Sequence, residues 1–295
     1  MNERDLKYFC DLVETGSYTA TAKKFQVTQP AISVALKRLE SEYNTQLMNH
    51  PAHSSGLITT SAGEVLYIKA RRLIKEFSQL ESEVKHADDQ KVRLGFSHVA
   101  GGIWLPRVVQ TFAHHKLLPA VTTEVDISEH LLDHLRNRKL DAAIFSSLEP
   151  LISDDLQVYP LETHPLCVLA NIHHPLSHLH MIEAKDLQQF QIIARQPQSL
   201  PRNALERYCE NSNVKPKIIY EAPSSQLVEK LVARNLGIGF VIDGSVTLSH
   251  DVVKIPLKPS KSIDCYMQMA VRKSFIPNKH QEECIELLKN IKDQN

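Results

Sequence analysis

Apolar residues in the first ninety positions recur at helical spacing in four blocks separated by short polar breaks. Leu6, Phe9, Cys10 and Val13 make a stripe on a helix Leu6–Glu14, with Asp5 placed to cap it and Gly16 to end it. Ser17 caps a helix from Tyr18 to Phe25, and Gln26-Val27 connects it to a second helix capped by Thr28. Pro30 falls in the first turn of that second helix, where a missing N–H costs nothing. Ile32, Leu36, Leu39 and Tyr43 follow at spacings of four, three and four, one face turned inward. Thr28, Gln29, Ser33, Val34, Lys37 and Arg38 are left on the other face. Short polar groups at a helix N-terminus, with cations further along, suit a DNA major groove: the former reach base edges and the latter phosphates. An ordinary two-helix core element has the same periodicity.

Leu66, Ala70, Leu73, Phe77, Leu80, Val84 and Ala87 then alternate spacings of four and three, a heptad seam of three repeats on a helix about 40 Å long. After the polar break His86–Gln90 the grammar changes. Val92–Phe96, Val121–Ile127 and Asp141–Phe145 read as strands separated by helices at 103–113 and 129–138. Leu166–Ala170 is a further strand. The order repeats with strands Phe190–Ala194, Lys217–Tyr220 and Gly239–Ile242, helices 201–211 and 225–234, and a last helix at 278–292. Such alternation predicts an α/β domain with a largely parallel sheet.

Charge changes this picture little. Lys plus Arg equal Asp plus Glu at 34 each, so net charge gives nucleic-acid binding no support and the case rests on where the cations sit. Lys23, Lys24, Lys37 and Arg38 are the cations placed to carry it. The opening MNERDLKYF has no cationic-then-apolar leader and no apolar run is long enough to span a membrane, so a cytoplasmic protein with no membrane partner is expected. The five cysteines form no close pair and are expected to be reduced and buried. His164, His173, His174, His178 and His180 match no closed zinc set, and Leu236-Gly-Ile-Gly239 lacks the third glycine of a dinucleotide fingerprint. No nucleophile–base constellation is visible, so neither a metal, a cofactor nor an enzyme is expected.

The run TAKKFQVTQPAISVALKRLE, Thr21–Glu40, resembles the helix-turn-helix signature of the LysR-type transcriptional regulators, and the resemblance extends over essentially the whole chain. Departures are Thr21 in the usual Ala-Ala pair, Tyr43-Asn44 for Leu-Gly, and Met48 and His50 for Phe and Arg. Asn44 tolerates the left-handed conformation that glycine would supply. The wing, Pro51–Thr59, has no Lys or Arg, leaving His50 and His53 as its only basic candidates.

The resemblance implies an all-α winged helix-turn-helix domain at 1–60 and a dimerisation linker helix at 61–90, with Leu66, Leu73, Phe77, Leu80 and Val84 in its interface. An α/β two-subdomain, periplasmic-binding-protein-like effector domain would follow at 91–295. Its subdomain I would span 91–162 and 268–295, and subdomain II 163–267, with crossovers near 161–168 and 263–270. Matched position by position, Ser97, Ser128 and the loop 196–202 line the effector pocket. His98, Ser146, Gln196, Ser199 and Arg202 complete the candidate set. Hydroxyls at helix N-termini with an arginine nearby favour a small carboxylate, although an isolated serine there is more often just a cap.

Implied partners are double-stranded promoter or operator DNA, a small-molecule effector and a second copy of the chain as dimer or tetramer; RNA polymerase is a further candidate. The segment around Lys37-Arg38-Leu39-Glu40 also resembles regulators of malolactic metabolism, which would make malate the effector. The competing readings are an α/β enzyme and a solute-binding protein, each with a helical appendage.

Overall fold

The computed structural model describes residues 2–49, 58–85, 91–258 and 263–291. The chain forms two compact units, 1–89 and 90–295. The first contains α1 (Glu3–Thr15), α2 (Tyr18–Lys24), α3 (Gln29–Tyr43), β1 (Met48–Asn49), β2 (Ile58–Thr59) and α4 (Ser61–Lys85). Leu6, Phe9 and Leu12 of α1 pack against Ile32, Ala35, Leu36 and Leu39 of α3 and Ala70 of α4. Asn2, not Asp5, caps α1, its side chain accepting the Asp5 amide at 2.8 Å. Asp5 turns inward instead.

Tyr43, expected on the inward face, is 45% exposed. It is the last residue of α3, and Asn44 turns the chain in the left-handed region (φ 48°) beyond the core's edge. Glu40 Oε1 accepts the Leu47 amide at 2.9 Å and so fixes where the wing begins. The wing strands pair antiparallel, Met48 opposite Thr59. His50 and His53 lie outside the described residues, as does Ala87 of the seam.

The heptad seam divides in two. Ala70 is fully buried, and Leu66, Leu73 and Ile74 are half-buried against the same core as α1. Leu66 and Leu73, expected in an interface between copies, therefore pack at least partly within their own domain. The reason is length: 25 residues give α4 about 37 Å, whereas the 13 of α1 cover about 20 Å. Beyond Ile74 the seam overruns its own domain, and Phe77, Leu80 and Val84 are 41%, 54% and 68% exposed.

The second unit carries β3 (Val92–Ser97), α5 (His98–His114), β4 (Val121–Asp126), α6 (Ser128–Arg136), β5 (Ala142–Ser147) and a long β6 (Leu156–Asn171). Then come β7 (Gln191–Arg195), α7 (Leu200–Glu210), β8 (Lys217–Ala222), α8 (Ser225–Ala233), β9 (Ile238–Ile242), β10 (Val252–Pro256), β11 (Asp264–Arg272) and α9 (Lys279–Lys289). The sheet order is β4-β3-β5-β11-β6-β9-β7-β8, with β10 on β6.

Three differences from the sequence reading matter. The sheet is mixed rather than largely parallel, because β6, β10 and β11 pair antiparallel with their neighbours while only β3, β4, β5 and β7, β8, β9 form parallel sets. β6 begins ten residues before the expected Leu166: Pro160 sits beside a bulge opposite Met267/Gln268, and Pro165 lies opposite Asp264, the first residue of β11. α5 begins at His98 rather than Ile103, with Gly101, Gly102 and an interior Pro106 inside it.

β6 and β11 cross between two half-domains, and the pairing register fixes how the halves face. β5 runs antiparallel to β11, which runs antiparallel to β6. β6 therefore leaves the first half at the carboxyl ends of β3 and β5. It enters the second with Leu166 opposite Ile242, the carboxyl end of β9. The carboxyl ends of both parallel sets thus meet across the crossing strands, the place where open α/β sheets bind ligands. The halves touch there: a Cβ on Gly102 of α5 would lie 2.7 Å from the Ser245 carbonyl, in the turn after β9.

Candidate nucleic-acid interface and effector cleft

The outward face of α3 carries most of its expected readers. Thr28, Gln29, Pro30, Val34, Lys37 and Arg38 are exposed and Ser33 is half-buried. Thr28 has the extended backbone of a cap residue, yet its side chain makes no capping bond. Pro30 has no N–H to offer, and the Ala31 amide bonds the Thr28 carbonyl at 3.0 Å instead. The Thr28 hydroxyl is left at the helix tip beside Gln29.

The four expected phosphate cations divide into two pairs. Lys23 and Lys37 are exposed with no ion pair among the described residues. Lys24 and Arg38 are engaged within the domain. Lys24 bonds Asp11, and Arg38 grips Asp5 with Nη2–Oδ1 at 2.6 Å and Nε–Oδ2 at 3.0 Å. Both carboxylates are buried, Asp5 at 2% and Asp11 at 3% exposure. A buried carboxylate needs a cation, so these two serve the fold first.

Arg38→Ala is accordingly expected to lower the chemical-denaturation midpoint, and Asp5→Ala/Arg38→Ala to recover part of that loss. Equal losses in both would mean that Arg38 does not compensate Asp5. Operator affinity of the double variant then reports the phosphate contribution of Arg38 separately from its structural one.

In the second unit three of the expected effector residues bond to one another. Ser97 closes β3 and caps α5, accepting the Ala100 amide at 3.2 Å. Its hydroxyl lies 2.8 Å from that of Ser146, and both residues are 2% exposed. Ser128 stands in the first turn of α6 and donates to the Ser146 carbonyl at 2.8 Å. These hydroxyls therefore stitch β3, β5 and α6 together. Ser97 and Ser146, expected to present theirs to a ligand, spend them on each other. What faces outward at this end is His98, the first residue of α5, with the α5 and α6 N-termini.

Across the crossing strands, Gln196 is exposed and Ser199 donates to the Gln196 carbonyl at 2.7 Å, shaping the loop. Arg202, expected as the anion-binding cation, is held by two carboxylates, Glu206 at 2.6 Å and Glu221 at 2.9 Å. A guanidinium neutralised twice has little left for a ligand. The neighbouring Arg195 went unnoticed in the sequence. It is buried at the end of β7 with no carboxylate bonded to it among the described residues, and burial lowers its pKa. No sequence signal separates it from an exposed arginine.

Elsewhere, His174 accepts the Leu176 amide at 3.2 Å and caps a short turn, its pKa lowered by burial. All five cysteines are buried and free, and burial pushes Cys167 and Cys265 up to about 12. Such thiols are protonated and poorly nucleophilic at neutral pH. No helix among the described residues is long and apolar enough to cross a membrane.

Comparison with known proteins agrees with this geometry. Residues 3–85 match the bacterial regulatory helix-turn-helix protein family, lysR, and residues 85–291 match the LysR substrate binding domain. The chain is 26% identical over 295 residues to the malolactic fermentation system transcriptional activator of Lactococcus lactis, covering 99% of each protein. It is 27% identical over 254 residues to the HTH-type transcriptional regulator CysL of Bacillus subtilis, covering 84% of this chain and 82% of that one. Among solved structures, the Corynebacterium glutamicum OxyR C206 mutant superposes with a TM-score of 0.58 at 20% identity, covering 99% and 92% of the two chains. With family matches spanning both the helix-turn-helix unit and the two-lobed α/β unit, the chain belongs to the LysR family of transcriptional regulators, with a DNA-binding domain followed by an effector-binding domain.

Proposed function

We propose that this regulator reads its operator through Thr28, Gln29, Ser33 and Val34 of α3. In this reading Lys23 and Lys37 supply the main phosphate contacts and Lys24 and Arg38 secondary ones. A small carboxylate held at the facing strand ends of the second unit controls promoter activity. The observation that carries the DNA reading is the exposed N-terminal face of α3, which has polar tips at its start and an uncommitted lysine two turns on. Malate is the carboxylate to try first, because a protein matching the chain end to end is named for malolactic fermentation. Self-association through α4 supplies two recognition helices to two half-sites, and RNA polymerase is the partner that bound DNA would bring within reach.

The test is a gel shift and footprint on the promoter beside the protein's own gene, with and without malate. Gln29→Ala is expected to cost about 1–3 kcal/mol of discrimination between operator and random DNA, with nonspecific binding nearly intact. Lys37→Ala should weaken binding to all sequences and flatten its salt dependence. A Gln29→Ala protein with wild-type affinity and preference would remove Gln29 from the reading.

A further inference from the structure

Arg195 is the one charged side chain at the facing strand ends that the fold buries without giving it a counter-charge among the described residues. It ends β7, opposite Ala222, the last residue of β8. It is 8% exposed. Its Nη1 donates to the Ala222 carbonyl at a long 3.4 Å, and its buried Nε has no hydrogen-bond partner. Strand alternation puts it on the same face as Ile193, which packs with Ala222, Val228 and Val232 on the α8 side of the sheet. Its Nη1 contacts the carbonyl of Ala222, and only Pro223 and Ser224 separate Ala222 from the start of that nine-residue helix.

Three costs coincide here. The group is charged and desolvated, one of its donors is unmade, and it lies by the positive end of a helix dipole. An anion at this corner would remove all three together. The Ser224 hydroxyl takes only the Leu227 amide at 3.1 Å, leaving the earlier amides of α8 to point toward the same place. Arg202 cannot do this work, being closed by Glu206 and Glu221.

We propose that Arg195, with the first-turn amides of α8, binds the carboxylate of the effector, and that it is the residue by which the cleft selects an anion. This rests on the reading that a small molecule occupies the facing strand ends. Bound there, the anion touches the second half-domain, while the α5 and α6 N-termini offer the first half its other end. A ligand with two charged ends would thereby favour one arrangement of the halves, which is the differential affinity that regulation requires.

The experiment uses the full chain and three proteins: wild type, Arg195→Met and Arg195→Lys. Malate, succinate, citrate, pyruvate, inorganic phosphate and the uncharged diamide of malate are titrated by calorimetry, and each protein's ligand-free melting temperature is recorded. The expected result is that at least one carboxylate binds wild type and loses about tenfold to a hundredfold in affinity in Arg195→Met. Arg195→Lys should retain part of that affinity, and the diamide should not distinguish the three. Without ligand, Arg195→Met should melt higher than wild type, because a buried uncompensated charge has gone.

Equal carboxylate affinity in wild type and Arg195→Met would overturn the assignment while leaving an effector site elsewhere in the cleft. A lower ligand-free melting temperature for Arg195→Met would show a structural arginine and overturn it as well. Arginine-dependent binding of phosphate alone would overturn the carboxylate. Failure of every carboxylate to bind wild type would overturn both this assignment and the carboxylate reading of the cleft. A carboxylate that binds through Arg195 yet leaves the operator footprint unchanged would instead overturn the regulatory reading alone.

Discussion

Replacing Phe77 and Leu80 together with Asp is expected to give a protein that sediments as a smaller species and no longer binds its operator. Both residues lie on the part of α4 that runs past its own domain, and both are exposed within the single chain. Burying a Phe, Leu or Val side chain against a partner contributes about 1.5–3 kcal/mol each, so Phe77, Leu80 and Val84 on two helices are enough to hold a pair. Two carboxylates in that seam would have to be desolvated unpaired, and the association would fail. Operator binding falls with it, since one recognition helix on one half-site loses the gain in effective concentration that joins the second. Leu73 is the poorer position for this test, because its side chain already packs on its own domain's core and Asp there would damage the fold. Unchanged far-UV circular dichroism with a halved sedimenting mass is the expected pair of observations. A native mass in the double variant would show that the exposed half of α4 is not an interface.

The sequence was legible where one physical requirement dominated. Periodicity placed α1 to α4 because each must bury a stripe, and strand–helix alternation placed both rounds of the α/β unit because a parallel sheet must be covered on both faces. It was least legible where a side chain's role depends on a partner distant in sequence. Arg38 and Asp5 are thirty-three residues apart, and Lys24 and Asp11 thirteen, so nothing local told a structural cation from a phosphate-seeking one. Arg202 looked like the anion receptor for the same reason, while Arg195 looked like nothing, although only burial and pairing distinguish them. The serines show why sequence alone leaves their role open: helix N-termini at strand ends demand caps, and caps and ligand donors are the same residue types.

Gly63→Ala is expected to destabilise the first unit by about 1–3 kcal/mol, at the upper end of that range, and to abolish operator binding without touching a residue that faces DNA. A Cβ on Gly63 would lie 2.1 Å from the Leu47 carbonyl oxygen and 2.7 Å from Thr59 Cγ2. Leu47 cannot retreat easily. Its amide is held by Glu40 of α3 at 2.9 Å, and its carbonyl accepts the Thr60 amide at 3.0 Å and the Thr60 hydroxyl at 3.2 Å. The neighbour is backbone, so no rotamer change relieves the clash. The start of α4 must lift away, and the wing strand beside it and the rest of that helix would both be displaced. The chain's one tryptophan allows a clean measurement: Trp104 is buried in α5 of the second unit, whereas the first unit has no tryptophan and takes most of its described regular structure from α1 to α4. In urea, the circular-dichroism transition should gain an early phase in the variant while the fluorescence midpoint stays where it was. Coincident loss in both probes would mean that the two units unfold as one. An unchanged circular-dichroism profile would mean that Leu47 yields after all, and that the close approach of α4 to the wing is not what holds this domain in its DNA-reading shape.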